Sequence, residues 1–409
     1  MIPILQGLRV IEASAFVAAP LGGMTLAQMG ADVIRIDMPQ GALDYRRWPI
    51  TDEGTSLFWT GLNKGKRSVV IDVTSTEGRE LAQALITAPS DDAGILLTNF
   101  PARGWLDFDS LRDRRSDLIQ LTIQGDRNGG SAVDYTVNAR MGLPYLTGPE
   151  STAGVVNHVL PAWDLITGQM AALGLLAAER HRRRTGEGQH VKLALEDVAL
   201  ASLGHLGMIA EAQLGGERPR YGNALFGAFG RDFVTRDGER VMVVGLTLKQ
   251  WKSLCAATGI TESINELAVR RGVNLDHEGE RFRARDDIAN LVAAWIGARA
   301  VAEVGKTFDA HSVCWSRYQT VKQLVDRDPA CSELNPMFRT VQHPGVGSLL
   351  TPAIPLDFGS GRIPALPAPR LGEHTAEVLT NLLGLTATEL GRLSERRVIG
   401  LGTSDATLS

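Results

Sequence analysis

Asp164 follows Pro161-Ala-Trp and opens the run Leu165-Ile-Thr-Gly-Gln-Met-Ala-Ala-Leu-Gly-Leu-Leu-Ala-Ala178, which closes on Glu179-Arg-His-Arg-Arg-Arg-Thr-Gly186. Ala, Leu and Met favour helix, and three arginines with Gly186 mark a C-terminal end, so Asp164 falls at an N-cap or first turn. Unpaired N–H groups and the positive end of the helix dipole are expected to keep this carboxylate ionised, and an ionised carboxylate is a usable nucleophile. The run is apolar nearly all round, which predicts a buried helix, and Gly168 and Gly174 would admit another backbone. An ordinary capping aspartate has the same signature, and from this stretch alone it is the commoner case.

Other residues suggest ligand contacts. Lys64, Lys66 and Arg67, in Asn63-Lys-Gly-Lys-Arg-Ser68, form a basic cluster at a strand entrance. It suits phosphates, and it equally suits a solvated turn. Asn99-Phe-Pro-Ala-Arg103 follows a strand, where ligand-contacting loops belong. Cys255, Cys314 and Cys331 are unclustered and odd in number, giving free thiols without metal-ligand spacing and a reducing, cytoplasmic setting.

These groups need a scaffold. The 409 residues are 44% hydrophobic and 22% charged with a formal net charge of −4, a globular profile that excludes general attraction to nucleic acid or anionic membrane. No basic leader precedes the first strand, and no apolar run is long enough to span a bilayer. β-branched runs at Leu8–Ile11, Val33–Ile36, Ser68–Ile71, Ile95–Thr98 and Leu118–Ile123 alternate with helical runs, predicting a Rossmann-like α/β domain with a parallel sheet. The turn Ala13–Gly23 lacks Gly-x-Gly-x-x-Gly spacing, so the second strand's Asp37 makes a poor nicotinamide signal. A strand at Gln189–Leu195 and one helix from about Asp197 to Ala212 follow. Turn-rich Gly215–Asn223 marks a boundary, which gives a large domain over 1–222, a smaller α+β domain over 223–345, and a segment over 346–409 that returns to the large domain. That last segment carries Pro-rich 352–369 and a final helix, Thr375–Leu383.

Leu8-Arg-Val-Ile-Glu12 with Ala19-Pro20, Gly30-Ala-Asp-Val-Ile34, Asn63–Ser68, Thr98-Asn-Phe100, Arg184-Thr-Gly-Glu-Gly-Gln189 and Pro369-Arg-Leu-Gly-Glu-His-Thr375 together resemble the class III CoA-transferases, the family of formyl-CoA:oxalate and carnitine CoA-transferases and α-methylacyl-CoA racemase. The resemblance implies that Asp164 is a covalent nucleophile and that the subunits form an interlocked homodimer. It implies an acyl-CoA substrate, with coenzyme A as part of it, and no tightly bound cofactor, metal, nucleic acid or membrane. The racemases' histidine position is Val133 here and their glutamate position is Val234, so general-base removal of an α-proton lacks its actors. By family position the CoA contacts are Val17, Ala18, Ile71, Asp72, Val73, Thr74, Asn99, Phe100, Arg103 and Asp134, with Asn223 and Phe226 towards the acyl group. Met38 replaces an arginine that meets the nucleotide in some relatives, which leaves Arg46, Arg47 or Lys66 for the phosphates.

Glu12–Gln28, Asn99–Leu106, Val156–Asp164 and Gly227–Asp232 resemble the branch that moves CoA from the C1 to the C4 carboxyl of mesaconate within one molecule. Intermolecular transfer to a separate dicarboxylic acid and a non-catalytic acyl-CoA-binding role remain open alternatives, with a nicotinamide dehydrogenase more distant.

Overall fold

The computed structural model describes residues 3–359 and 361–402; Ser360 and the end of the expected C-terminal segment, 403–409, lie outside them. The chain begins with β1 (Arg9–Ala13), α1 (Ala18–Ala27), β2 (Asp32–Asp37), α2 (Leu57–Leu62), β3 (Arg67–Ile71), α3 (Thr76–Ile86), β4 (Ile95–Thr98), α4 (Phe108–Arg114) and β5 (Ile119–Gln124). It continues through α5 (Asp134–Arg140), α6 (Leu143–Leu146), α7 (Ala162–Thr185), β6 (Gln189–Ala194), α8 (Leu195–His205) and α9 (Met208–Gln213). Next come β7 (Phe229–Val234), β8 (Arg240–Gly245), α10 (Leu248–Thr258), α11 (Thr261–Arg271), α12 (Glu278–Arg283), α13 (Arg285–Gly297), α14 (Val301–Ala310), β9 (Cys314–Arg317) and α15 (Val321–Arg327). Last are β10 (Phe338–His343), β11 (Gly347–Pro352), α16 (Thr375–Leu383), α17 (Ala387–Glu395) and β12 (Ile399–Gly400).

Two compact units result: Met1–Met141, Val159–Gln213 and Pro329–Ser409 form the first, and Gly142–His158 with Leu214–Asp328 form the second. These bounds differ from the 1–222, 223–345 and 346–409 read from sequence. Residues 142–158 join the second unit because Arg220 binds three of their carbonyls, those of Thr152 (2.5 Å), Pro144 (3.0 Å) and Gly154. The single helix expected over 197–212 is two, α8 and α9, separated at Gly207, whose φ of 72° suits glycine alone. Helix α17 and strand β12 extend the chain beyond the last helix read from the sequence.

The first unit is built on a seven-stranded sheet in the order β12-β3-β2-β1-β4-β5-β6, parallel except for β12. Its central strands are apolar on both faces, because helices cover both. One face packs Val10, Val33 and Leu97 against α1 and α7; the other packs Ile34, Ile71 and Leu96 against α3, α16 and α17. Strand order reverses between β1 and β4, and in open α/β sheets ligands lie at the carboxyl ends of strands at such a point. The second unit has an antiparallel sheet, β7-β8-β9, with a core that includes Phe229, Val243, Trp251 and Phe308.

Candidate active site

At the reversal point the ends of β1 and β4 are tied together. Thr98 Oγ1 donates to the Ala13 carbonyl (2.7 Å), while Asn99 accepts from Ala15 N–H (3.0 Å) and donates to Ala15 C=O (2.7 Å). Asn99, expected to touch CoA, thus serves first as a clamp on the loop before α1. That loop puts Phe16 at φ 68°, a left-handed conformation costing a non-glycine residue roughly 1–3 kcal/mol, so the surroundings must impose it. The loop then delivers the chain into α1, which has no side-chain cap at Val17. Pro20 lacks an N–H, which leaves those of Ala18 and Ala19 as donors at the helix start.

Beneath the loop lies a buried charge network. Arg35 Nε donates to Asp37 (2.8 Å), its Nη2 to both oxygens of Asp44 (3.1 and 3.0 Å) and to the Ser14 carbonyl (3.0 Å), and its Nη1 to Glu12 (3.4 Å). Lys66 Nζ reaches Glu12 (2.9 Å), Asn63 Oδ1 (2.9 Å) and the Pro20 carbonyl (2.8 Å). Burial pulls the Lys66 ammonium down to about 8 against the pull of Glu12. Lys66 is therefore neither a solvated residue nor a phosphate ligand, and the basic cluster of the sequence is dismantled: Lys64 is also buried, and Arg67 pairs with Asp32 (2.6 Å) and Glu377 (3.1 Å). Asp37 is likewise consumed by Arg35 and Ser68 Oγ (2.8 Å), so no ribose ligand stands at the end of β2. Glycine is required at position 23, since a Cβ there would lie 1.8 Å from Glu12 Oε2.

Helices α1 and α7 pack closely. A Cβ at Gly168 would meet the Ala18 carbonyl at 2.7 Å, the backbone approach expected of this glycine; Gly174 faces only the Leu121 side chain (3.1 Å). Helix α7 is not buried all round: Ile166, Met170 and Leu173 form an exposed apolar stripe. Asp164 lies in its first turn. The cap, however, is Asp134, whose Oδ2 accepts from Trp163 N–H (2.7 Å) and Asp164 N–H (3.0 Å). Asp134, expected to touch CoA, is 2% exposed, and this capping role is the one its Oδ2 fills.

This arrangement reverses the expected ionisation of Asp164. The helix-start donors go to Asp134, and burial, followed by the repulsion of Asp134, pushes the Asp164 carboxyl up to about 7, with Arg47 pulling the other way. A carboxylate short of hydrogen bonds and water is a more reactive nucleophile than a capped one once it ionises.

The other expected contacts divide. Ile71 is wholly buried in the core and offers no side-chain surface. Asp72 folds onto Thr74, accepting from its N–H (3.0 Å) and hydroxyl (2.6 Å), and Val73 is half-buried beside them. Asn99 and Phe100 line a cavity of about 480 Å³ with Gln124, Gly125, Ser131 and Lys192. Arg103 is exposed on the loop that follows. Asn223 and Phe226 belong to the second unit, where Phe226 packs on Tyr221 and Phe282 under the Arg218 guanidinium. Among the described residues no three His, Cys, Asp or Glu side chains come within metal-binding range. The clamp and the charge network were missed in the sequence, although Glu12, Arg35 and Asp37 inside apolar parallel strands were a signal: charges there must pair.

Relatives extend over nearly the whole chain. It is 60% identical over 399 residues to 2-methylfumaryl-CoA isomerase of Chloroflexus aurantiacus, covering 97% of this chain and 98% of that protein. It is 30% identical to succinate–glutarate CoA-transferase of Agrobacterium fabrum (93% and 96% covered) and 30% identical to succinyl-CoA:mesaconate CoA-transferase of Haloarcula hispanica (92% and 95%). The crystal structure of a CAIB/BAIF family protein from Brucella suis superposes with a TM-score of 0.76 at 24% identity, covering 93% of this chain and 99% of that one, a likeness of fold. The pattern of CoA-transferase family III matches residues 5–375, and the chain belongs to that family.

Proposed function

We propose that the chain is a 2-methylfumaryl-CoA isomerase, moving CoA between the two carboxyls of one mesaconate molecule to give 3-methylfumaryl-CoA. The observation that carries this reading is Asp164, a partly desolvated carboxyl in a chain 60% identical, end to end, to a protein of that name. The two carboxyls of the substrate point apart across a rigid double bond and cannot close on each other, so an enzyme group must carry CoA. Asp164 attacks the C1 thioester carbonyl, the C–S bond breaks, and CoA leaves as thiolate with an aspartyl–acyl anhydride left behind. The thiolate attacks the Asp164 carbonyl, giving an enzyme–CoA thioester and releasing mesaconate as a carboxylate. The C4 carboxylate then attacks this thioester, and the returning thiolate attacks C4, freeing Asp164.

Each addition makes an oxyanion that needs fixed donors. The first-turn N–H groups of Trp163 and Asp164 in α7 are taken by Asp134, so this role passes to the start of α1, at Ala18 and Ala19. The cavity beside Asn99 and Phe100 suits the pantetheine arm, with Lys192 of its lining and the exposed Arg103 of the following loop as cations for the phosphates. A homodimer is part of the proposal; the exposed stripe of Ile166, Met170 and Leu173 is an apolar face that a second copy would cover.

The test is to incubate the purified chain with 2-methylfumaryl-CoA alone. Formation of 3-methylfumaryl-CoA is expected; an absolute need for an added dicarboxylic acid would instead make it an intermolecular transferase, like the relatives at 30% identity.

A further inference from the structure

Arg47 is built to hold a guanidinium in place without giving it a carboxylate. Its N–H donates to the Asp44 carbonyl (3.2 Å), and its own carbonyl accepts from Ser56 Oγ (2.6 Å). Asp44 is gripped by Arg35, and Ser56 caps α2, so the charge network fixes the backbone that bears this side chain. The exposed guanidinium lies over the rings of Phe16 (5.8 Å) and Phe58 (5.1 Å) and makes no ion pair among the described residues. Aromatic faces steady the plane of a guanidinium and leave its N–H edge open for an oxyanion.

The position of that edge follows from the helices. Phe16 leads into α1, whose Ala18 carbonyl faces Gly168, and Asp164 sits one turn earlier on the same side of α7. Asp164 is near enough to be influenced by the Arg47 charge. A CoA phosphate is separated from its thioester by the whole pantetheine arm, so a cation beside the nucleophile meets the acyl group and not the nucleotide.

We infer that Arg47 binds the free carboxylate of the acyl group and thereby selects dicarboxylic over monocarboxylic acyl-CoA substrates. The inference rests on the function proposed above. In that reaction one carboxyl is always an acyl donor or acceptor at Asp164 while the other is an anion. A steadied fork of donors on the Asp164 side of the loop holds C4 before the transfer and C1 after it. The same cation keeps mesaconate in place between the two halves of the reaction.

The experiment compares wild type, Arg47→Ala and Arg47→Lys on two probes, 2-methylfumaryl-CoA and the monocarboxylic crotonyl-CoA. Formation of the enzyme–CoA thioester is followed by intact-protein mass. For Arg47→Ala the second-order rate with 2-methylfumaryl-CoA is expected to fall roughly 10- to 100-fold, mainly through KM, with crotonyl-CoA unchanged. Arg47→Lys should recover part of the loss, and added guanidinium should partly rescue Arg47→Ala. An equal loss on both probes, or none on either, overturns the role of Arg47 and leaves the isomerase reading intact. If wild type makes no 3-methylfumaryl-CoA, the isomerase reading falls and the inference falls with it.

Discussion

Two groups of buried acids lie within the first unit and are treated in opposite ways. Glu12, Asp37 and Asp44 are almost wholly excluded from water, yet each has a guanidinium or ammonium partner. Asp134 and Asp164 share one helix start without a cation bonded to either among the described residues, and of the two only Asp134 accepts from the helix N–H groups. Desolvation is offset in the first group and left standing on Asp164 in the second. The first holds the loop at Phe16 and the segment of Arg47 in place, and the second leaves the carboxyl proposed as nucleophile unsatisfied. Rigidity and reactivity thus come from the same physical term with opposite compensation.

The contrast is broken most directly at Asp164. Asp164→Asn is expected to lower turnover by about 10⁴-fold or more and to abolish the enzyme–CoA adduct; activity within tenfold of wild type, by product chromatography, would mean the carboxyl is not the carrier. Next comes the compensated group. Lys66→Met takes the closer cation from Glu12 and leaves it the 3.4 Å contact with Arg35, and should cost roughly 2–4 kcal/mol in urea unfolding, with part returned by adding Glu12→Gln; a neutral single variant would show that Lys66 holds nothing.

A pH-dependent effect joins the two halves of the comparison. The folded carboxyl of Asp164 titrates near 7 and an unfolded one near 4, so its ionisation penalises the fold above pH 7 and not below pH 4. Asp164→Asn should therefore stabilise the chain at pH 8 by up to about 4 kcal/mol, the three-unit difference at ~1.4 kcal/mol each, with the gain shrinking as pH falls from 7 and nearly gone by pH 4. Unfolding curves at both pH values check this, and an equal effect at both would contradict it. The smallest expected change is in the pH profile. Wild-type kcat/KM should fall on the acid side of about pH 7, as Asp164 takes up a proton. Asp134→Asn keeps an acceptor for the helix N–H groups but removes the neighbouring charge. Its acid limb should move down by less than about one pH unit, since burial is the larger cause; an upward move would reverse the sign of the proposed repulsion.

Periodicity alone made the parallel sheet legible, because strands covered on both faces must be apolar throughout, and the helix of Asp164 announced itself through Ala and Leu content, terminal arginines and Gly186. The boundaries at 142–158 did not show, since a single guanidinium, Arg220, recruits that segment across a gap of more than sixty residues. The basic cluster misled for a related reason: whether Lys64 and Lys66 face water or a buried acid depends on partners far away in the chain.

The sequence by itself determined that a carboxyl would stand at the start of a long helix on a Rossmann-like sheet, since local propensity and strand spacing suffice for that. Only the tertiary structure decided which aspartate would cap that helix and which would be left without its N–H donors. Two carboxyls thirty residues apart competed for the same N–H groups, and the packing of α5 against α7 gave them to Asp134. Protonation of an acid follows the water and donors around it, and those are set by the fold rather than by its neighbours in the chain.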